Sequence, residues 1–235
     1  MQSGSQMISS HQNLFCCQTV DLGLVDYELG CQYQKQAVET VLAGEAQKII
    51  TCEHPAVLTM GRLTDPHNLL VSSEELQRMR IKCVSVDRGG DITLHCPGQM
   101  VVYPILNLSF YGRDLHVYLR KLEHVIIDFL KGFDILANRF PGQTGVWVGE
   151  KKIASIGIGV RKWISFHGLS INVNTDLRMF SLIRPCGLNV AMTSMAEIKR
   201  KTLDMNIVRK AFTKVFMNAF SLSLVEEKNE PCHSA

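Results

Sequence analysis

Several features are missing from this sequence, and each absence removes a class of function. No apolar run approaches the length needed to cross a bilayer. The opening Met1-Gln2-Ser3-Gly4-Ser5-Gln6 carries no positive charge and precedes no sustained apolar stretch, which argues against a secretory signal. No Lys/Arg block is long enough to track a nucleic-acid backbone; the densest, Lys199-Arg200-Lys201, reads as a solvated segment before a helix. Such a basic rim also suits an acidic carrier protein, because charge complementarity speeds encounter. No internal repeat and no linker is visible, and the eight cysteines include no C-x-x-C pair, so neither a zinc ribbon nor a redox dithiol is indicated. Their scatter through apolar segments fits reduced thiols in a cytoplasm-like compartment. The expectation is therefore a cytoplasmic protein that engages neither membrane nor nucleic acid.

What is present describes an ordinary globular protein: 46% hydrophobic, 20% charged, net charge +3. At 235 residues it is long enough for one well-buried core, so residues 1–235 are expected to form a single domain, with loose tails at 1–12 and 226–235. Strands are expected at Leu14–Val20, Lys48–Cys52, Val57–Met60, Cys83–Val86, Ile135–Ala137, Gly145–Val148, Lys152–Val160 and Trp163–Val173. Helices are expected from Asp26 to about Leu42, with Leu29, Tyr33, Ala37 and Val41 as the apolar face, and from Leu115 to near Gly132, with Leu115, Leu119, Leu122, Ile126 and Phe129 inward. Ser72 with Glu75 and Ser194 with Glu197 have capping-box spacing. An amphipathic helix over 204–220 closes the chain. This order reads as α+β, a mixed or antiparallel sheet flanked by helices.

Three segments hold residues suited to chemistry. In Arg88-Gly89-Gly90-Asp91-Ile92-Thr93-Leu94-His95 the glycines permit turns closed to other residues and let a substrate lie against bare backbone. Thr93 and His95 share one face of a short strand. Arg88 is read either as a clamp on a polar group or as a brace for the turn, and His95 either as a site residue or as a satisfied structural histidine. Lys152 opens Lys152-Ile153-Ala154-Ser155-Ile156-Gly157, where small residues leave room for a ligand. Strand alternation lets only one of Lys151 and Lys152 face that room. Cys186, between Pro185 and Gly187, sits where a bend can lift a thiol out of the packing; a buried cysteine in a turn is the plainer alternative. A thiol becomes nucleophilic as thiolate, which a nearby lysine favours. His54 and His167 are open between lining a site and satisfying a turn. Cysteine and histidine spacing matches no four-ligand metal set.

Taken in order, these motifs resemble the lipoate-protein octanoyltransferases, also called lipoyl(octanoyl) transferases. The likeness runs from about Glu53 to Met195. It is carried by Glu53-His54-Pro55, Gly61-Arg62, the Arg88–Gln99 segment with Tyr103-Pro104-Ile105, Thr144 to Val148, Lys152 to Gly157, His167 to Val173, Pro185-Cys186-Gly187, and Thr193-Ser194-Met195. The resemblance implies the α+β catalytic domain shared with biotin and lipoate protein ligases. It implies transfer of octanoyl from octanoyl-acyl carrier protein to a lysine of lipoyl domains, those of 2-oxoacid dehydrogenase E2 subunits and the glycine cleavage H protein. It casts Cys186 as the thioester-forming nucleophile and Lys152 as the group that lowers its pKa. Arg88, Gly89, Gly90, Asp91, Ile92, Thr93, Leu94, His95, Ser155, Ile156, Gly157, Gly168, Leu169 and Ser170 would hold the acyl substrate, with no metal and no cofactor. Cys96 stands where the family has glycine, putting a β-carbon and a sulfur beside the expected acyl tunnel; Ser170 stands where alanine is common.

Overall fold

The structure is a computed structural model, and it describes residues 15–185 and 190–225. Its main feature is an eight-stranded mixed sheet in the order β11-β1-β2-β6-β10-β9-β8-β7. Those strands are β1 (Cys16–Leu24), β2 (Gln47–Glu53), β6 (Gln99–Ile105), β7 (Asn138–Phe140), β8 (Gln143–Val148), β9 (Lys151–Arg161), β10 (Ile164–Asn172) and β11 (Ser223–Leu224). The β11-β1-β2 pairings are parallel and the others antiparallel. A small sheet, β4-β3-β5, is made of β3 (Val57–Met60), β4 (Lys82–Ser85) and β5 (Ile92–His95).

Alternation along the strands divides the side chains between the two faces of the main sheet. Met100 and Val102 join the core built with α3 (Leu115–Lys131) and α5 (Met205–Ala219), where Leu122, Phe129, Phe212 and Phe216 are fully buried. Val101, Tyr103 and Ile105 point the other way, toward Ala37, Val38 and Val41 of α1 (Tyr27–Leu42). The small sheet packs with α2 (Ser73–Met79) and the 177–182 turn around Leu58, Leu94 and Phe180.

Local signals set most element ends. The Ser72/Glu75 capping box is complete, both reciprocal bonds being made. In α4 (Met195–Lys199) only half forms: Ser194 Oγ accepts from the Glu197 N–H, while the Glu197 carboxylate turns to Thr193 and Lys151.

The structure corrects three expectations. Leu29 and Tyr33 of α1 are exposed; the inward face is Tyr27, Gly30, Gln34, Ala37, Val38 and Val41. Hydrophobicity misplaced that face because two of its positions are glycine and glutamine. Gly30 lets His54 approach to 3.0 Å of where a Cβ would stand, and Gln34 accepts the His167 backbone N–H at 2.7 Å. On α3, Leu115 is exposed and Tyr118 takes the inward position. The segment 135–137 is not a strand but the exit from α3, held by the Ile135 N–H on the Leu130 carbonyl; the strand follows at Asn138.

Candidate active site

A narrow cleft, partly open to solvent, lies between the small sheet and the α1 face of the main sheet. Its floor is Ser155, Ile156 and Gly157 of β9, Gly168, Leu169 and Ser170 of β10, and Val101 and Tyr103 of β6. Arg88, Gly90, Asp91, Ile92, Thr93 and His95 form the opposite wall, Lys152 lies at one end, and Tyr27 and His167 complete the lining. Segments distant in the chain thus converge, including every group expected from sequence except three. Leu94 points into the small-sheet core, and Gly89 faces β9, its N–H donating to the Ile158 carbonyl at 2.8 Å. Cys186 lies outside the described residues.

Lys152 is 2% exposed, whereas Lys151 pairs with Glu197 at the surface. Strict alternation from Ser155 and Gly157 would have aimed Lys151, not Lys152, at the cleft. The register shows why it does not. Val146 pairs with Ala154 but Trp147 pairs with Lys152, leaving Ile153 without an opposite residue. This β-bulge re-aims the side chains beyond it. The Lys152 ammonium lies 5.0 Å from the Trp147 ring centroid, and its backbone bonds to Ala191 and Thr193 on both sides. Gly145 makes room for it: a Cβ there would stand 2.7 Å from Lys152 Cε and from the Ala154 carbonyl oxygen, at a φ of +133°.

The turn opposite is braced rather than free. The Arg88 guanidinium donates to Thr59 Oγ1 and O, at 2.8 and 2.7 Å, and to the Gly89 carbonyl at 3.1 Å. Gly157 lets this side chain cross β9, since a Cβ there would meet Arg88 Cδ at 3.1 Å. Arg88 therefore both shapes the turn and lines the cleft.

His95 starts a buried polar chain. The Gln99 amide NH₂ donates to the Leu94 carbonyl and to Asn172 Oδ1, so its Oε1 accepts from His95 Nδ1–H at 2.7 Å. Asn172 donates to the Thr193 carbonyl, and the Thr193 N–H to that of Lys152. Burial pushes the His95 pKa down to about 3, with nearby His54 adding to the effect, so the ring is neutral and its Nε2 is an acceptor. His54 is also held neutral by burial; it bonds the Val25 carbonyl and, through Nε2, the Tyr103 hydroxyl, both at 2.7 Å. His54 thus satisfies the turn and buttresses the cleft from behind.

The Cys96 side chain does not narrow the cleft. It packs among Leu58, Leu94 and Phe180 in the small-sheet core, where burial raises its thiol pKa to about 11. The cysteines at 16, 17, 31, 52, 83 and 96 are all free thiols, Cys83 exposed. Among the described residues no group of His, Cys, Asp and Glu is arranged to hold a metal ion, and no helix is long and apolar enough to cross a membrane.

Sequence reasoning missed three contributors. Tyr103 lay within a family motif without a role, and Tyr27, at the start of a helix, gave no signal; His167, open between lining a site and satisfying a turn, lines the cleft and bonds Asp87. Glu123, in the middle of α3, is fully buried and well bonded: it accepts from Arg120 at 2.7 Å, Arg139 at 2.9 Å and the Gly145 N–H at 3.1 Å. A carboxylate thus fixes the glycine that borders Lys152.

Both the sequence and the fold have relatives among known proteins. The sequence model of the lipoyl protein ligase A/B catalytic domain matches residues 26–217. An octanoyltransferase of Solibacter usitatus is 42% identical over 212 residues, covering 89% of this chain and 95% of the relative. The chain belongs to the octanoyltransferase family. Its members are acyltransferases, and so is this chain. The fold is likewise similar to the bipartite lipoate protein ligase of Thermoplasma acidophilum, at a TM-score of 0.68 and 16% identity over 91% of this chain and 89% of that one. Biotin protein ligase from Aquifex aeolicus, solved with biotin and ATP, aligns at 0.53 and 16% identity over 87% and 70%.

Proposed function

We propose that this octanoyltransferase moves octanoyl from octanoyl-acyl carrier protein to a lysine of lipoyl domains, those of 2-oxoacid dehydrogenase E2 subunits and the glycine cleavage H protein, in the cytoplasm. The observation that carries the reading is the buried Lys152 at the end of a narrow, mainly apolar cleft, in a chain 42% identical to an octanoyltransferase. A slot of this kind suits an unbranched acyl chain and leaves the reacting carbonyl beside the amine.

The chemistry is a two-stroke exchange. Cys186 thiolate attacks the thioester carbonyl while backbone N–H groups stabilise the oxyanion. The tetrahedral adduct collapses, expelling the carrier thiolate, which takes a proton from the Lys152 ammonium. The acceptor lysine amine then attacks the acyl-Cys186 thioester and gives its proton to Lys152. Cys186 leaves as thiolate, so both groups return to their starting charges. A thioester is already activated, and the exchange needs no ATP.

Intact-mass measurement after incubation with octanoyl-acyl carrier protein tests this. The wild type should gain one octanoyl group without ATP, Cys186→Ser none, and Lys152→Ala far more slowly. Acylation that requires ATP, or that persists in Cys186→Ser, overturns the reading.

A further inference from the structure

The strand order of the lining puts Lys152 at one end of the cleft and residues 167 and 168 toward the other. Tyr27 and His167 stand there, and both also line a second, wider groove of about 820 Å³. Val38, Val84, Val86 and Phe166 supply its apolar surface, and Lys35 and Arg62 line it too. Two compartments therefore share a wall built from these two side chains.

The wall is held from its outer side. The His167 imidazole bonds Asp87 at 2.9 Å, and Gln34 takes the His167 backbone N–H, while Tyr27 has Cys31 beside it. Cys31, Gln34 and Asp87 all line the outer groove. On the inner side the Tyr27 ring stacks on His95, with centroids 5.9 Å apart and planes 13° from parallel. Tyr27 is 4% exposed and His167 6%.

The available length matches eight carbons. The point where a Gly145 Cβ would stand is 3.3 Å from Lys152 Nζ and 2.7 Å from the Ala154 carbonyl oxygen, which puts the amine near the level of residue 154. His167 pairs with Ile158, so the stretch from the level of the amine to the backbone of the wall is four strand residues, about 13 Å. An extended octanoyl group measures about 9 Å from carbonyl carbon to methyl carbon, seven C–C bonds in a zigzag, and van der Waals contact of the methyl with the wall takes up about 4 Å more.

We propose that Tyr27 and His167 are the chain-length determinant: they end the acyl cleft after eight carbons, and the groove beyond them is an apolar compartment that longer chains enter once the wall is opened. The inference rests on the acyl-transfer reading for the direction in which the substrate lies. Each methylene that does not fit costs roughly 10- to 200-fold in discrimination, so two surplus carbons suffice for sharp exclusion.

Removing either side chain should open the passage. His167 sits at φ +53°, a conformation glycine adopts without strain, so His167→Gly opens the wall with the backbone undisturbed. Tyr27→Ala opens it by an independent route, and Tyr27→Phe keeps the ring in place. The test measures transfer to a lipoyl domain from octanoyl-, decanoyl-, dodecanoyl- and tetradecanoyl-acyl carrier protein, with calorimetric binding of free octanoate and dodecanoate alongside. The wild type and Tyr27→Phe should prefer octanoyl over dodecanoyl by about 100-fold or more, and Tyr27→Ala and His167→Gly should each narrow that ratio at least tenfold. Narrowing in only one of these two variants or in neither, or a wild type that uses dodecanoyl as well as octanoyl, overturns the proposal. A wild type inactive with every donor instead defeats the transfer reading, and the calorimetric ratios then decide the wall by themselves.

Discussion

Glu123→Ala is the substitution with the clearest consequence outside the cleft. The carboxylate is 1% exposed and accepts three hydrogen bonds, two of them from guanidinium groups. Bonds to charged groups contribute about 1.5–3 kcal/mol each. Arg120 and Arg139 are 52% and 41% exposed and recover hydration when released, so the two ion pairs together contribute nearer the bottom of that range. The buried Gly145 N–H is left without its acceptor, and a small cavity opens in the flank of α3. Together these losses come to about 3 kcal/mol, a fall in Tm of roughly 6–12 °C for a chain of this size. Glu123→Gln keeps an oxygen for Gly145 and should lose about half as much. Urea denaturation at pH 7 gives the stabilities. Octanoyl transfer by the folded variant should show kcat falling more than the KM for octanoyl-acyl carrier protein rises, because Gly145 borders Lys152 and not the acyl slot. A stability loss under about 1 kcal/mol, or activity unchanged in a folded Glu123→Ala, refutes the argument that this carboxylate holds Gly145 in place.

Gly145→Ala puts a Cβ against Lys152 Cε at a backbone angle alanine resists; strain of about 1–3 kcal/mol and a turnover drop of about 100-fold are expected, read by melting and by steady-state transfer. His95, neutral when folded with a pKa of about 3, titrates near 6.5 when unfolded. The unfolded chain therefore binds more protons between those values, and stability is lost as pH falls through that window, by roughly 2.5 kcal/mol between pH 7 and 4.5. His95→Gln should remove that part of the acid loss; urea titrations at both pH values showing an unchanged difference would contradict the assignment. Phe212→Ala, at the centre of the α3–α5 interface, should cost about 3–5 kcal/mol by denaturation, and a cost below 1.5 would mean the site collapses around the cavity.

Much of the architecture could be read along the chain because the forces that set it are local. Capping residues, glycine turns and strand-like runs located most elements, and the ordered motifs named the family and nearly all the cleft lining. Where local reading failed, a contact distant in sequence had overruled it. Gln34 is inward on α1 because it accepts a hydrogen bond from His167, 133 positions away. Cys96 turned away from the cleft because the small sheet buries it.

The amino-acid string by itself determined which chemistry-bearing groups this protein owns, since residue types and short spacings are covalent facts. Tertiary structure alone decided which of them meet. A one-residue bulge, and not strand alternation, sends Lys152 rather than Lys151 into the cleft. The buried carboxylate of Glu123, the neutral ring of His95 and the Tyr27–His167 wall exist only because remote segments exclude water together. Burial and facing direction are properties of the packed chain, and no run of neighbouring residues contains them.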